Sequence, residues 1–267
     1  MNLEDFFQTK PVFTNKDIDE YLFAKFGQNY CSRVPLIARL RRSGRLVMVR
    51  RGLFVVVPKS LRPEALSVNR FQVAGTLTKD AVISHRSALE YYGLAPYSER
   101  EVIYSAFRPL GVVEFKGLDY KGVKFPKSLI RIGEELHGVR FFNRSGLVTR
   151  VSSPERALVD IIDRLDLVGG WSEVKSLLSA LTDLNIDDVV EYAKCLANAT
   201  TAAKVGYYLA GQVDKLPIKD SHLKALSLMR PNQPHYLDRS RRREGRLVAE
   251  WNLMVHRGEL AEEPLAF

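Results

Sequence analysis

The chain has 267 residues and a formal net charge of +9, with 46% hydrophobic and 10% aromatic residues. That length suits one large domain or two ordinary ones, and the apolar content excludes wholesale disorder. Two distant cysteines, Cys31 and Cys195, exclude a disulfide framework or zinc knuckle. No run approaches the ~18 apolar residues of a membrane span, and the N-terminal segment carries acids where a signal peptide carries positive charge. A soluble, cytoplasmic protein with no membrane partner is expected.

Residues 3–8 read as a short first helix. Thr14 then caps a second helix, with Asp17 three residues on as a capping box and Ile18, Leu22 and Phe26 as its buried stripe. Gly27 stops it. Residues 31–43 read as a third helix, broken at Gly44. Leu36, Ile37 and Leu40 form its apolar face, and Pro35, Ala38, Arg39 and Arg42 lie opposite. Residues 46–49 and 53–57 are β-branched and apolar, joined by Arg50-Arg51-Gly52, which describes a hairpin with a basic tip.

The charge sits where these elements are. Residues 28–62 contain no acid and hold Arg33, Arg39, Arg41, Arg42, Arg45, Arg50, Arg51, Lys59 and Arg62. These nine cations equal the formal net charge of the whole chain, so the remainder is close to balanced. Such clustering makes a local field that attracts a polyanion. A helix, a glycine turn and a basic hairpin together suggest a winged helix-turn-helix. Ser32, Arg33, Arg39 and Arg42 suit a helix entering the major groove. Arg50 and Arg51 suit phosphate or minor-groove contacts from the hairpin. Arg41 and Arg45 read as phosphate contacts or solvated charges.

Residues 58–63 look like a linker. Helices are expected at 68–77 and 84–92, and short strands at 101–106, 111–115, 123–125, 129–132 and 139–143. Ser153 starts another helix with Pro154 at its first position and Glu155 in its first turn. Helices follow at 154–165, 172–181, 187–198 and 201–212. A basic, proline-containing stretch at 217–246 precedes an apolar run at 247–255. The fold class is therefore α+β: an N-terminal winged helix-turn-helix at residues 1–60, then a C-terminal domain at 61–267. That domain reads as mixed α/β to about residue 150 and mainly helical from about residue 151.

Other chemistry-bearing groups have bland readings. With Leu158, Ile161, Ile162 and Leu165 as the buried stripe, Glu155, Asp160, Asp163 and Asp166 are expected mostly on the outside, with Arg156 and Arg164 as partners. Glu173 and Lys175 match half of a metal-dependent nuclease motif, but on a helix rather than on converging strands. A nuclease delivered by the winged helix is thus the enzymatic alternative. His85, His137, His222, His235 and His256 lack metal-ligand spacing, and Ser84-His85-Arg86-Ser87 reads as ordinary helix capping. The cluster Arg239, Arg241, Arg242, Arg243 and Arg246 reads as a solvated surface, a second phosphate-contacting strip or a contact for an RNA-like toxin substrate. No catalytic residue, cofactor or metal site is expected.

Three segments carry a family resemblance: ISHRSALEYYGL (83–94), SSPERALVDIIDRLDLVGG (152–170) and EWNLMVH (250–256), with AAKVGYYL (202–209) as a fourth. In this order they resemble the AbiEi-type antitoxins of type IV toxin–antitoxin systems, over nearly the full length. The resemblance implies a DNA-binding transcriptional autorepressor, acting on operator DNA with inverted repeats as a homodimer or by cooperative binding. It also implies an antitoxin domain after the linker, which counteracts a nucleotidyltransferase-like toxin without a stable complex, in abortive infection and phage defence. Carried over by position, the DNA-contacting role falls on Ser32, Arg33, Arg39, Arg42, Arg50 and Arg51. A sensor-type regulator without a toxin partner is the other alternative.

Overall fold

The computed structural model describes residues 2–27, 32–144, 147–241 and 245–259. The architecture is mixed α and β. Two compact units divide the chain, each assembled from separate stretches: 1–83, 98–124 and 140–151 in the first, and 84–97, 125–139 and 152–267 in the second.

The first unit begins with local capping signals, of which the sequence announced the one at Thr14. Asn2 and Asp5 close a capping box on α1 (Leu3–Thr9). Thr14 and Asp17 do the same for α2 (Asn15–Phe26), with Thr14 N donating to Asp17 Oδ2 at 2.7 Å. Between them lies β1 (Val12–Thr14), which the sequence did not announce. Ser32 caps α3 (Arg33–Arg42), and the hairpin of β2 (Leu46–Arg50) and β3 (Leu53–Val56) follows. Gly52, at φ +81°, permits the tight turn. β1 pairs antiparallel with β3, Phe13 opposite Phe54, giving a sheet in the order β1-β3-β2.

Beneath that sheet Phe6, Phe7, Phe13, Ile18, Tyr21, Leu22, Ile37, Leu40 and Phe54 form one core. Ring centroids of Phe6 and Tyr21 lie 4.9 Å apart, and those of Phe6 and Phe13 5.3 Å. Each such side chain contributes about 1.5–3 kcal/mol by burial. Phe26 departs from the expected stripe and is 49% exposed. It ends α2, and the Lys25 ammonium lies 5.2 Å from its ring centroid.

The same unit holds α4 (Arg70–Thr76) and a six-stranded sheet. Its strands are β4 (Val82–Ile83), β5 (Glu101–Ala106), β6 (Val113–Phe115), β7 (Leu118–Lys124), β8 (Val139–Arg144) and β9 (Leu147–Ser152), in the order β6-β7-β5-β4-β9-β8. Lys116 and Gly117 both have positive φ, the two-residue geometry that suits a tight β6–β7 hairpin.

The second unit is mainly helical: α5 (His85–Tyr91), α6 (Lys127–Ile132), α7 (Pro154–Asp163), α8 (Trp171–Leu178), α9 (Ile186–Leu196), α10 (Ala199–Ala210) and α11 (Asp220–Ser227). A small sheet of β10 (His235–Tyr236), β11 (Gly245–Val248) and β12 (Leu253–His256) completes it. The expected strand at 129–132 is in fact α6. Pro126 stands at its N-cap position, and Gly133, left-handed at φ +74°, lets the chain turn back so that Glu134 N reaches Leu129 O at 2.9 Å. The basic stretch 217–246, for which no element was expected, contains α11 and β10.

Candidate functional site

The basic elements of the first unit place their cations unequally. On α3, Ile37 and Leu40 are buried, while Pro35, Ala38, Arg39, Arg41 and Arg42 are exposed. Arg39, Arg41 and Arg51 have no hydrogen bond or ion pair to any described side chain. Arg42 bonds only its own helix, with Nε donating to Ala38 O at 3.4 Å. Ser32 is exposed, and its Oγ accepts from Val34 N at 3.3 Å. Three other cations are committed elsewhere. Arg33 pairs with Asp19 at 2.6 Å, Arg45 with Glu4 at 2.9 Å, and Lys59 with Glu4 at 3.2 Å. Arg45 also donates to Val57 O. Arg50 is half-buried and its Nη1 reaches Leu77 O at 3.4 Å. An exposed guanidinium without a partner is available to phosphate oxygens, whereas Arg33 must first release Asp19.

The acids of α7 are a correction. Glu155 and Asp160 were expected outside, but they are 6% and 5% exposed. Helices α5, α8, α9 and α10 all pack on α7, so no solvent face remains for its middle turns. The Arg156 and Asp160 side chains are satisfied internally, as burial requires. Arg156 donates to Glu135 O at 2.8 Å and His137 O at 2.6 Å, and its Nε reaches Asp160 Oδ2 at 3.4 Å. Tyr192 donates to Asp160 Oδ1 at 2.6 Å. Burial, with the Asp160 charge beside it, holds the Tyr192 hydroxyl well above the ordinary tyrosine range. Asp166 is exposed and chelated by Arg164, at 2.9 and 2.8 Å.

His85 is a second correction. Ser84 does not cap α5 through its side chain. Its Oγ lies 2.9 Å from His85 Nδ1, and His85 itself is buried in a left-handed conformation at φ +53°. Burial pushes its pKa down, against the pull of Asp160 and Asp163.

Glu173 and Lys175 are exposed on α8, and the described residues contain no group of three or more His, Cys, Asp or Glu that could hold a metal ion. No described helix is long and apolar enough to cross a membrane. Of the second arginine cluster, Arg239 and Arg241 are exposed, and Arg246 lies exposed on β11. Arg242 and Arg243 lie outside the described residues.

Sequence reasoning passed over a polar cleft of about 550 Å³ in the second unit, where the end of α7 meets the start of α10. Lys204 and Asp238 contribute to it. The one available signal was a lysine inside the apolar run AAKVGYYL. In comparisons with known proteins, no family model and no curated protein matches the chain.

Proposed function

We propose that the protein is a DNA-binding transcriptional autorepressor and antitoxin, with residues 1–60 as a winged helix and no catalytic role. The observation that carries the DNA-binding half is the exposed cationic face of α3 beside the basic tip of the β2–β3 hairpin. Supporting it is the order helix, strand, helix, helix, strand, strand within residues 3–56, whose sheet runs β1-β3-β2. In that reading α3 enters the major groove, Arg39 and Arg42 meet bases or phosphates, and Arg51 meets the backbone beyond the helix. Ser32 approaches at the start of α3, and Arg33 and Arg50 join once their present partners are exchanged for phosphate. Inverted repeats in the operator are met by two copies, as a dimer or cooperatively. The antitoxin half, against a nucleotidyltransferase-like toxin without a stable complex, rests on the resemblance of the three motif segments.

The test is binding of the full chain to a labelled fragment of its own promoter and to random DNA, across a salt series. A footprint over repeated half-sites, weakened by Arg39→Ala or Arg51→Ala, is the expected result. Equal affinity for both DNAs would remove the repressor reading. Protection from the toxin is expected to survive both substitutions, since they lie in the DNA-binding elements.

A further inference from the structure

The cleft at the end of α7 holds a lysine that no other part of the structure accounts for. Lys204 lies on the second turn of α10 and is only 8% exposed. Among the described residues, no hydrogen bond or ion pair reaches its ammonium group, although it lines a space of about 550 Å³. An ammonium carries three donors, and those of Lys204 are left to the open cleft, with the Asp163 and Asp238 charges acting on it. Burial pushes the Lys204 pKa down, while the Asp163 and Asp238 charges oppose that fall. Arg239, exposed at the same cleft, also has no described side chain as partner.

The acids around the cleft are already engaged. Asp163 Oδ1 accepts from Asn198 Nδ2 at 3.1 Å and from Thr201 Oγ1. Asp238 accepts from Ser240 N at 2.8 Å, Ser240 Oγ at 2.6 Å and Trp171 N at 3.1 Å. Those bonds hold the Asp238 carboxyl below its usual range, although burial works the other way. Arg164 is occupied by Asp166. Two cations therefore remain with unused donors, and Asp163 keeps its second oxygen as an acceptor.

We propose that this cleft binds a small phosphorylated hydroxy compound, with its phosphate on Lys204 and Arg239 and a hydroxyl donating to Asp163. Asp163, Asp166 and Asp238 balance Arg164, Lys204 and Arg239 around the cleft, so selection rests on the unused donors: a monoester at about −1.5 to −2 engages both Lys204 and Arg239, whereas a single carboxylate leaves one unmet. The start of α10, where Asn198 Oδ1 already accepts from Thr200 N and Thr201 N, adds only the positive end of a helix dipole. The volume falls within the roughly 300–1,000 Å³ of small-ligand sites. This inference stands apart from the DNA-binding reading, since every residue it uses lies in the second unit.

Titration calorimetry on the full chain at constant ionic strength tests it, with inorganic phosphate, ribose 5-phosphate and ribose as probes. Saturable one-to-one binding of ribose 5-phosphate, at least tenfold tighter than inorganic phosphate and with ribose silent, is expected. Arg239→Gln should weaken it at least tenfold and Lys204→Met should abolish it, while Arg39→Ala should leave it unchanged. Absence of saturable binding, equal binding of ribose, or insensitivity to Arg239→Gln overturns the proposal, as does loss of binding in Arg39→Ala. Should Lys204→Met not fold, acetylation of Lys204 in the unaltered chain gives the second measurement. Ribose 5-phosphate must slow that modification and ribose must not; equal rates with both overturn the site.

Discussion

His85 combines burial, a left-handed backbone and a lowered pKa, so it ties stability to pH. The folded chain resists protonating this ring, while the unfolded chain takes up a proton near the ordinary histidine value of 6.5. Its contribution is therefore complete above pH 6.5 and is lost as pH falls from there through the lower folded value. Asn tolerates the left-handed region, so His85→Asn should fold and should flatten that part of the stability–pH curve. Urea midpoints at pH 5.5 and 7.5 check it, and an unchanged slope in the variant would count against this account. The Asp160 network gives a larger effect. Asp160→Ala leaves the buried Arg156 guanidinium with two carbonyls and the Tyr192 ring but no counter-charge, and about 3–5 kcal/mol should be lost. Tyr192→Phe removes one hydrogen bond to a charged group and should cost about 1.5–3 kcal/mol, also read by urea unfolding.

Helix α10 shows how one element serves two demands. Its N-terminal turns line the polar cleft, and farther along Gly206 lies against the Trp251 ring, where a Cβ would overlap the indole carbons. Gly206→Ala gains about 1 kcal/mol of helix propensity but must displace a fully buried tryptophan. Overpacking costs typically 1–3 kcal/mol, so net destabilisation is expected in chemical denaturation. A more stable variant would mean that Trp251 moves easily. Helix α3 has the complementary arrangement, with its apolar side on the core and its arginines outward. Arg39, Arg41 and Arg42 in its last turn also favour the negative end of the helix dipole. That role alone would make Arg39→Ala a small stability change with no effect on DNA, and the promoter experiment separates the two.

Across the whole chain, charge and polarity are divided between the units. In the first, the acid-free window supplies cations on a helix face and a hairpin tip. The second unit exposes charges of both signs, Glu173 and Lys175 among them, and in addition buries Arg156 and Asp160 on α7 and Lys204 on α10. If α3 and the hairpin bind DNA, affinity must depend on salt through released counterions. Arg51→Ala should lower the slope of log affinity against log salt by about one for each bound copy, with discrimination between promoter and random DNA little changed. Arg39→Ala should reduce discrimination as well, if its guanidinium reaches a base edge. Equal slopes for Arg51→Ala and the unaltered chain would show that this arginine touches no phosphate.

Much of the first 57 residues was legible because their signals are short-range. Thr14 with Asp17, Gly27, Gly44 and Gly52 set helix starts, stops and turns within a few residues of themselves, whereas Ser32, expected inside the third helix, is its cap. The apolar spacing of Leu36, Ile37 and Leu40 identified the face that packs. The basic face of α3 was readable for the same reason, as the remainder of that period. Strand β1 was not, because three residues become a strand only by pairing with β3, some forty positions away. Nor was the commitment of Arg33 to Asp19, a contact between two helices. On α7 the periodicity correctly marked Leu158, Ile161 and Ile162, yet helices on several sides buried Asp160 and Glu155 as well. The sequence by itself determined the local elements and the site of the positive field, since caps, turns and charge density act between neighbours. Only the tertiary structure decided which charges stay free, because a partner or a loss of solvent comes from residues distant in the chain. That is how Lys204, in the apolar run AAKVGYYL, comes to line a polar cleft.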